Sequence, residues 1–493
     1  MHALMRAPAL VRALPLLLPL LLGGCAGIDL DQASVPLTSQ AAASEYADMS
    51  PSQRREHERL VASYGGAYND PELKALIQQV VERLVAASER PDLKYRVTVL
   101  NSPAINAFAL PDGSLYVTRG LLALANDTSE LSSVLAHEMA HVIARHATIR
   151  EDQVKQAVLV SRVISDVVND PDLGALAMQK SRRTLASFSR GQELEADAIG
   201  VGIAARAGFD PYGASRFLTD MGRYGDLKST AFSGSSTTPD MDFLSSHPAT
   251  PERISIAIAN ARQYAEGTKP SDGERDRNAY LSALDGMVYG DDPKEGFVRG
   301  RKFFHPKLGF TFTAPDGFSL ENTSQAVLGA TQTGREALRL DAVRVNADQS
   351  LAQYLSSGWI DGVEINTVET LTVNGFTAAT AVARGDQWSF RMFAIRFGSD
   401  VYRLIFAARE LTPELDKQFR AAADTFRRVS TGEADTVKPL RVRVVSIGLG
   451  DSVEKVAARM QVPDRPLDRF LILNGFDGAA KLKYGEKVKI IAE

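Results

Sequence analysis

One cysteine among 493 residues rules out any intrachain disulfide. Tryptophan numbers only two and histidine seven. A cationic excess is missing as well: 56 Lys and Arg stand against 60 Asp and Glu, a net charge of −4. That balance gives no reason to expect nucleic acid as a partner. Long apolar runs are absent. Residues 14–22 and 157–164 are each too short to span a bilayer, and Arg162 interrupts the second. What remains, 44% hydrophobic and 24% charged, is the composition of an ordinary folded protein. Its length is too great for a single core and predicts several domains.

Arg6 and Arg12 precede the first apolar run, so residues 1–24 read as a targeting leader and stay outside the fold. The run ends in Leu22-Gly23-Gly24-Cys25, which resembles a bacterial lipobox. That resemblance implies lipidation of Cys25. With Ala26 next instead of aspartate, it also implies an outer-membrane lipoprotein facing the periplasm. Several acyl chains on one residue anchor stably, whereas a single chain binds marginally. Residues 25–50, rich in Ala, Ser and Gln, read as a tether.

The chemistry concentrates in His137-Glu138-Met139-Ala140-His141, inside a stretch free of Gly and Pro from Glu130 to past His146. Residues four apart share a helix face, so two imidazoles there are able to grip one zinc ion, with Glu138 beside them to handle a proton. Hydrolytic zinc wants one more protein ligand, and Glu193, Glu195 and Glu130 are the candidates. Glu193 and Asp197 share a helix face while Glu195 points away. This favours Glu193 as the ligand, with Asp197 accepting the outer N–H of a zinc histidine. Upstream, residues 95–100 and 115–118 alternate like strands. Between them Asn106, Ala107, Phe108 and Ala109 form an extended run closed by a Pro-Asp-Gly turn. An edge strand beside a metal holds a peptide by adding it as one more strand; composition alone leaves an ordinary hairpin open.

Composition then divides the chain. Residues 51–266 hold the metal motif and a long Gly/Ser/Thr-rich loop at 222–246, which leads into His247-Pro248. Residues 267–296 read as a linker with a helical connector. Residues 297–430 alternate at 337–345, 367–373, 378–383, 389–397 and 401–408, followed by a helix over 413–426. This is an α+β domain with an antiparallel sheet, and it resembles the PsbP-like fold; His305 within it reads as structural. After a linker at 431–439, residues 440–493 run strand-helix-helix-strand. With Gly450-Asp-Ser and Leu473-Asn-Gly in place they resemble a LysM domain, which implies binding to the N-acetylglucosamine of peptidoglycan. The inserted Pro463-Asp-Arg-Pro466 departs from that pattern.

The His-Glu-x-x-His motif, the Glu193-x-x-x-Asp197 pair, the Asn106–Gly113 run and His247-Pro with Arg253-Ile following together resemble the HtpX-like and CAAX-prenyl-protease-like zinc metallopeptidases of the gluzincin type. The likeness covers about residues 50 to 265 and is greatest to periplasmic lipoprotein members. It implies a mainly α zincin-type domain with a small sheet, and one zinc per chain on His137, His141 and Glu193, with Glu138 as general base. It also implies a role for His247, either donating to the oxyanion or binding zinc as a removable fourth ligand. Arg253 is the weaker candidate, expected as a salt-bridge partner. The function expected is endoproteolysis of misfolded or unassembled envelope proteins. The alternative is a lipid-anchored, peptidoglycan-bound chaperone with a structural or vestigial zinc site, although a structural site has no need of Glu138. Cell-wall hydrolysis is a third and weaker reading.

Overall fold

The computed structural model describes residues 48–156, 188–231, 243–265, 273–430, 432–433, 438–462, 464–478 and 480–493. The leader, Cys25, nearly all of the tether and most of the helical stretch expected at 151–183 lie outside the described residues. The chain divides into two compact units between Glu56 and His57. The boundary falls within helix α1 (Pro51–Ser63), whose first-unit end starts with a reciprocal cap: Ser50 N–H donates to Gln53 Oε1 at 2.9 Å and Gln53 N–H to Ser50 Oγ at 3.3 Å. All that follows belongs to the second.

Helix α2 (Pro71–Ala87) begins at Asp70, which accepts from Leu73 N–H, and buries Leu73, Ile77, Val80 and Leu84 along one stripe. Strands β1 (Arg96–Leu100), β2 (Ala107–Ala109) and β3 (Ser114–Thr118) form a sheet in the order β1-β3-β2. β1 runs parallel to β3, and β2 pairs antiparallel on its other side, so β2 is an edge. Helix α3 (Arg119–Leu124) follows at once. Gly120 is required there, because a Cβ would stand 2.1 Å from Pro103 O.

Helix α4 (Thr128–Ile143) is capped by Asp127 and buried from Thr128 to His141. Against it lie α5 (Arg190–Arg206) and α6 (Gly213–Ala231); the short α7 (Phe243–Ser246) packs on α6, α8 (Pro251–Ala265) on both α5 and α6, and α9 (Arg277–Leu284) on α2. Two sequence expectations change here. The loop expected over 222–246 is helix as far as Ala231, because Leu218, Met221 and Leu227 keep apolar contacts at helical spacing and carry Gly222 and Gly225 along; residues 232–242 lie outside the described residues. Residues 277–289, expected as connector, are core: Tyr280, Leu284 and Met287 are buried, and Tyr280 Oη donates to Leu122 O at 2.7 Å.

The middle domain contains β4 (Phe297–Arg299), β5 (Lys302–His305), β6 (Phe310–Thr313), β7 (Phe318–Asn322), β8 (Val327–Thr331), β9 (Glu336–Val343), helix α10 (Leu351–Leu355), β10 (Glu369–Val373), β11 (Phe376–Arg384), β12 (Ser389–Phe397), β13 (Asp400–Ala408), α11 (Pro413–Ala423) and β14 (Arg427–Arg428). Two antiparallel sheets result, β10-β11-β12-β13-β9-β8-β7 and β14-β6-β5-β4, and Phe419 of α11 stacks on Phe406 of β13. His305 is buried and its Nδ1 accepts from Leu308 N–H, a structural use.

The tail forms β15 (Arg441–Ser446), α12 (Val453–Ala457), α13 (Pro466–Leu473) and β16 (Lys487–Ala492), the strand-helix-helix-strand order read from sequence. It is not packed separately. Val442, Phe470, Leu473 and Ile491 share one core with Leu73, Leu135 and Tyr280. Residues 286–289 lie along β15 through Gly286 N–H to Val442 O (2.8 Å) and Tyr289 N–H to Leu440 O (2.7 Å). The middle domain is therefore inserted between two segments that are hydrogen-bonded to one another.

Lys489 joins this module to the metal helix region. Its buried Nζ donates to Ala123 O at 2.7 Å and Ala125 O at 2.6 Å, at the C-terminal end of α3. Lys489→Met leaves these carbonyls without donors and should cost about 2–4 kcal/mol of unfolding free energy. Chemical denaturation checks it; a loss under about 0.5 kcal/mol, the range of an ordinary surface change, would refute the anchor.

Candidate metal centre

Four buried side chains converge: ligand atoms of His137, His141, Glu193 and His247 all lie within 4.8 Å of one another. Among the described residues this is the one such group able to hold a metal. His137 and His141 stand one turn apart on α4, with Nε2 atoms 3.0 Å apart. Glu193 comes from the first turn of α5, its Oε2 3.6 Å from His137 Nε2 and its Oε1 3.5 Å from His141 Nε2. His247 follows α7, and its Nδ1 is 2.8 Å from Glu193 Oε1 and 3.3 Å from His137 Nε2. Glycine makes the approach of α5 feasible. A Cβ on Gly200 would sit 3.0 Å from His137 N, tighter than a methyl group tolerates without movement.

Partners around these ligands orient them. Asp197 Oδ1 lies 2.9 Å from His137 Nδ1, which assigns the ring proton to Nδ1 and leaves a lone pair on Nε2 facing the cluster. Arg253 Nε donates to Asp197 Oδ2 and Nη2 to Asp197 Oδ1, both at 2.8 Å, while Nη1 is 2.8 Å from Glu193 Oε2. Asp197 and Arg253 are thus in contact with the centre without joining the ligand group. Glu195, one of the acids considered for zinc, instead reaches His146 Nε2 at 3.3 Å; Glu130 caps its own helix, accepting Asn126 N–H at 2.8 Å.

Burial governs the charges. It pushes the His137, His141 and His247 imidazolium pKa values down, His247 to about 3, so all three rings are neutral and have lone pairs to offer. Burial also raises Glu193 and, with the Glu193 charge, carries Glu138 well above the usual carboxylate range. For Asp197 burial acts the same way, but hydrogen bonds from Arg253 and His137 overcome it and hold the carboxyl well below that range. Neutral imidazoles, a carboxylate and crowded acceptor atoms form a donor set suited to zinc.

Glu138 is buried beside the group, outside it. Its carboxylate accepts Ala109 N–H from β2, its Oε1 has no hydrogen-bond partner, and His247 Nε2 is 3.8 Å from that oxygen. Ala107, Phe108 and Ala109 therefore form an edge at the metal centre, while Asn106 is turned inward, donating to Tyr64 Oη at 2.9 Å. The short helix α7 is tied to this edge: Phe243 N–H donates to Ile105 O at 2.8 Å, and Phe243 stacks on His247 at 4.4 Å.

Three contributors escaped the sequence reading. Phe188 stacks on His141 with ring centroids 4.0 Å apart, and Phe243 covers His247. His146 Nδ1 is 2.9 Å from His141 Nδ1, linking a candidate ligand to Glu195. Five positions after His141, His146 would leave that face on a continuous helix. Arg145, at φ +57°, breaks α4 and swings it back. A histidine just after the motif was the available signal.

Residues 71–260 match the model of peptidase family M48. The beta-barrel assembly-enhancing protease of Escherichia coli (strain K12) is 30% identical over 226 residues, 43% of this chain and 43% of that protein. The mitochondrial metalloendopeptidase OMA1 of Schizosaccharomyces pombe is 31% identical over 187 residues, 36% of this chain and 50% of that protein. This chain spans half or less of the length of these curated relatives. A solved structure of cyanobacterial PsbP from Synechocystis sp. PCC 6803 aligns at 15% identity with a TM-score of 0.22, over 28% of this chain and 98% of that one, a likeness too slight to argue from. The likeness to M48 peptidases lies in the segment that holds the metal centre, and M48 metallopeptidases are zinc-dependent.

Proposed function

We propose that this chain is a zinc metalloendopeptidase of the bacterial cell envelope, acting on misfolded or unassembled envelope proteins and closed at rest by His247. One observation carries the catalytic part: an unpartnered, buried carboxylate oxygen of Glu138 stands beside a ligand set of His137, His141 and Glu193. Zinc held by those three residues supplies Lewis-acid polarisation of a carbonyl and makes water acidic enough to react near neutral pH. The rest falls to the chain. The edge of β2 aligns the substrate backbone as an added strand. Glu138 Oε1 takes the proton of the attacking water and returns it to the leaving amine. Asp197, held by Arg253, keeps His137 in the tautomer whose Nε2 is free to bind. Phe188 and Phe243 keep bulk water off the rings.

His247 fits the removable fourth ligand better than the oxyanion donor, because its Nδ1 lies within the ligand group and α7 is tied to the substrate edge at Ile105. The same four-sided enclosure is what favours the alternative, a structural zinc site in a chaperone. Casein cleavage and zinc content of the full chain, with and without His247→Ala, separate them. A lid predicts cleavage raised about tenfold with zinc retained, the equivalent of losing one charge-assisted hydrogen bond. Cleavage abolished with zinc retained would assign the oxyanion role. No cleavage in either form, with zinc lost from the variant, would favour the structural site.

The proposal extends to location. Lipidated Cys25 anchors the chain to the outer membrane, facing the periplasm, and the C-terminal module contacts peptidoglycan. Leu449 and Tyr484 support the latter: they are 94% and 79% exposed on loops joined by the Gly485 N–H to Ile447 O bond.

A further inference from the structure

A cavity of about 360 Å³ opens where the peptidase domain, the middle domain and the C-terminal module meet. Residues 101–105, which lead into β2, residues 320–324 of the middle domain and Leu473 of the C-terminal module all line it. Arg119 stands in this lining, 1% exposed. Its Nε donates to Asn101 Oδ1 at 2.7 Å and its Nη1 to Gly290 O at 3.2 Å, but its Nη2 is buried with no hydrogen-bond partner. A buried donor without an acceptor is costly, and so points to something absent.

The charge around Arg119 narrows what that is. Asp291 and Asp292 both act on the guanidinium, and Glu295 and Glu321 line the same cavity. Two more cations line it, Lys228, 3.9 Å from Glu321, and Arg469, paired with Asp464 at 2.8 Å; with four carboxylates against three cations an anion is disfavoured, so the acceptor that Nη2 lacks is an uncharged oxygen. The remaining lining is largely apolar, with Ile105, Leu124, Leu227, Val288, Leu320 and Leu473. A polypeptide answers both demands, offering one carbonyl per residue and alternate side chains to either face. It also answers the location. Residues 101–105 bend at 103–104 and spend Ile105 O on Phe243 N–H, so they are not a strand edge themselves, but they lead directly into β2, and a chain leaving the β2 edge past Ala107 reaches this cavity within the ~30 Å that nine residues span at most.

We infer that this cavity binds an extended apolar segment of the unfolded polypeptide whose neighbouring residues lie along β2, with a main-chain carbonyl of that segment accepting from Arg119 Nη2. The inference rests on the peptidase reading for the role of β2. It gives the inserted middle domain a function: its residues 320–324 line the cavity, and Ser324 Oγ donates to Ser63 O of α1. Selection for unfolded chains follows, because a folded protein cannot supply several free residues beyond the scissile bond.

Since Arg119 also holds the 101 and 290 segments, its replacement risks the fold. Ala104→Trp and Ser324→Trp fill the cavity from two separate parts of its lining. Each is placed in the full chain carrying Glu138→Gln, and binding of dye-labelled unfolded casein is read by fluorescence anisotropy, with zinc content as the check on folding. Kd should rise about tenfold in each. Kd within twofold of the parent in both, no casein binding in the parent, or displacement of casein by soluble peptidoglycan fragments would overturn the inference. Weakened binding together with no cleavage by the unmodified chain would remove the peptidase reading and keep the cavity. Cleavage with unchanged Kd would do the reverse.

Discussion

Glu138→Gln should lower kcat for casein by about 10²–10⁴-fold while leaving zinc content at one per chain. The two halves of this result test different things. Glutamine keeps the volume of the side chain and an oxygen for the Ala109 N–H, so the edge strand and the ligand group should stay in place. What it cannot do is accept a proton. Burial and the Glu193 charge push the Glu138 carboxyl well above its ordinary range, which makes it a stronger base than a free carboxylate. Removing a buried acid also relieves a desolvation cost, so the variant should unfold no more easily than the parent. Cleavage within about tenfold of the parent would remove Glu138 from the base role. Loss of zinc would mean that Glu138 belongs to the ligand set.

Arg253→Ala should be the more damaging change to the site as a whole. Arg253 is 4% exposed and holds two buried carboxylates at once, Asp197 through Nε and Nη2 and Glu193 through Nη1. Breaking a buried pair by deleting one partner costs about 3–5 kcal/mol, because the other charge stays buried. Here two stay. We expect that loss in chemical denaturation of the apo form, and zinc affinity reduced about 10–100-fold through Asp197 and His137. In the parent, Asp197 is held below its unfolded pKa, so the stabilisation is complete above about pH 4 and fades as pH falls further towards the native value. Without Arg253 the native pKa of Asp197 should rise towards the unfolded one, so this acid-sensitive part of the stability should shrink. Arg253→Ala with parental stability and zinc affinity would reduce the pair to an incidental contact. Arg253→Lys should restore only part of the effect, since one ammonium cannot replace a fork that spans two carboxylates.

Much of this centre was legible before any fold was known, wherever chemistry is tied to local spacing. His137 and His141 one turn apart, and Glu193 and Asp197 one turn apart, need only a helix to share a face, and the residues around them are helix formers. The alternating runs of β11, β12 and β13 were legible for the same reason, since period two has meaning within a single strand. β8, with Gly329 interrupting Val327-Leu-Gly-Ala-Thr331, carries no such period and was missed.

The amino-acid sequence by itself determined the metal motif with Glu138 inside it, the acid pair on the second helix and the order of elements in the tail, all set by neighbours within a few residues. Only the tertiary structure decided which distant groups complete them. Arg253 reaches the acid pair from 56 positions away, and His247 comes 110 positions after His137. His146 returns to His141 because one residue takes a left-handed conformation. Lys489 of the last strand satisfies carbonyls at the end of α3, and the orphan donor of Arg119 faces a cavity built by three separate parts of the chain. Such pairings leave no periodicity in the chain, because burial makes an unpaired charge or hydrogen-bond donor costly wherever its partner happens to lie in sequence.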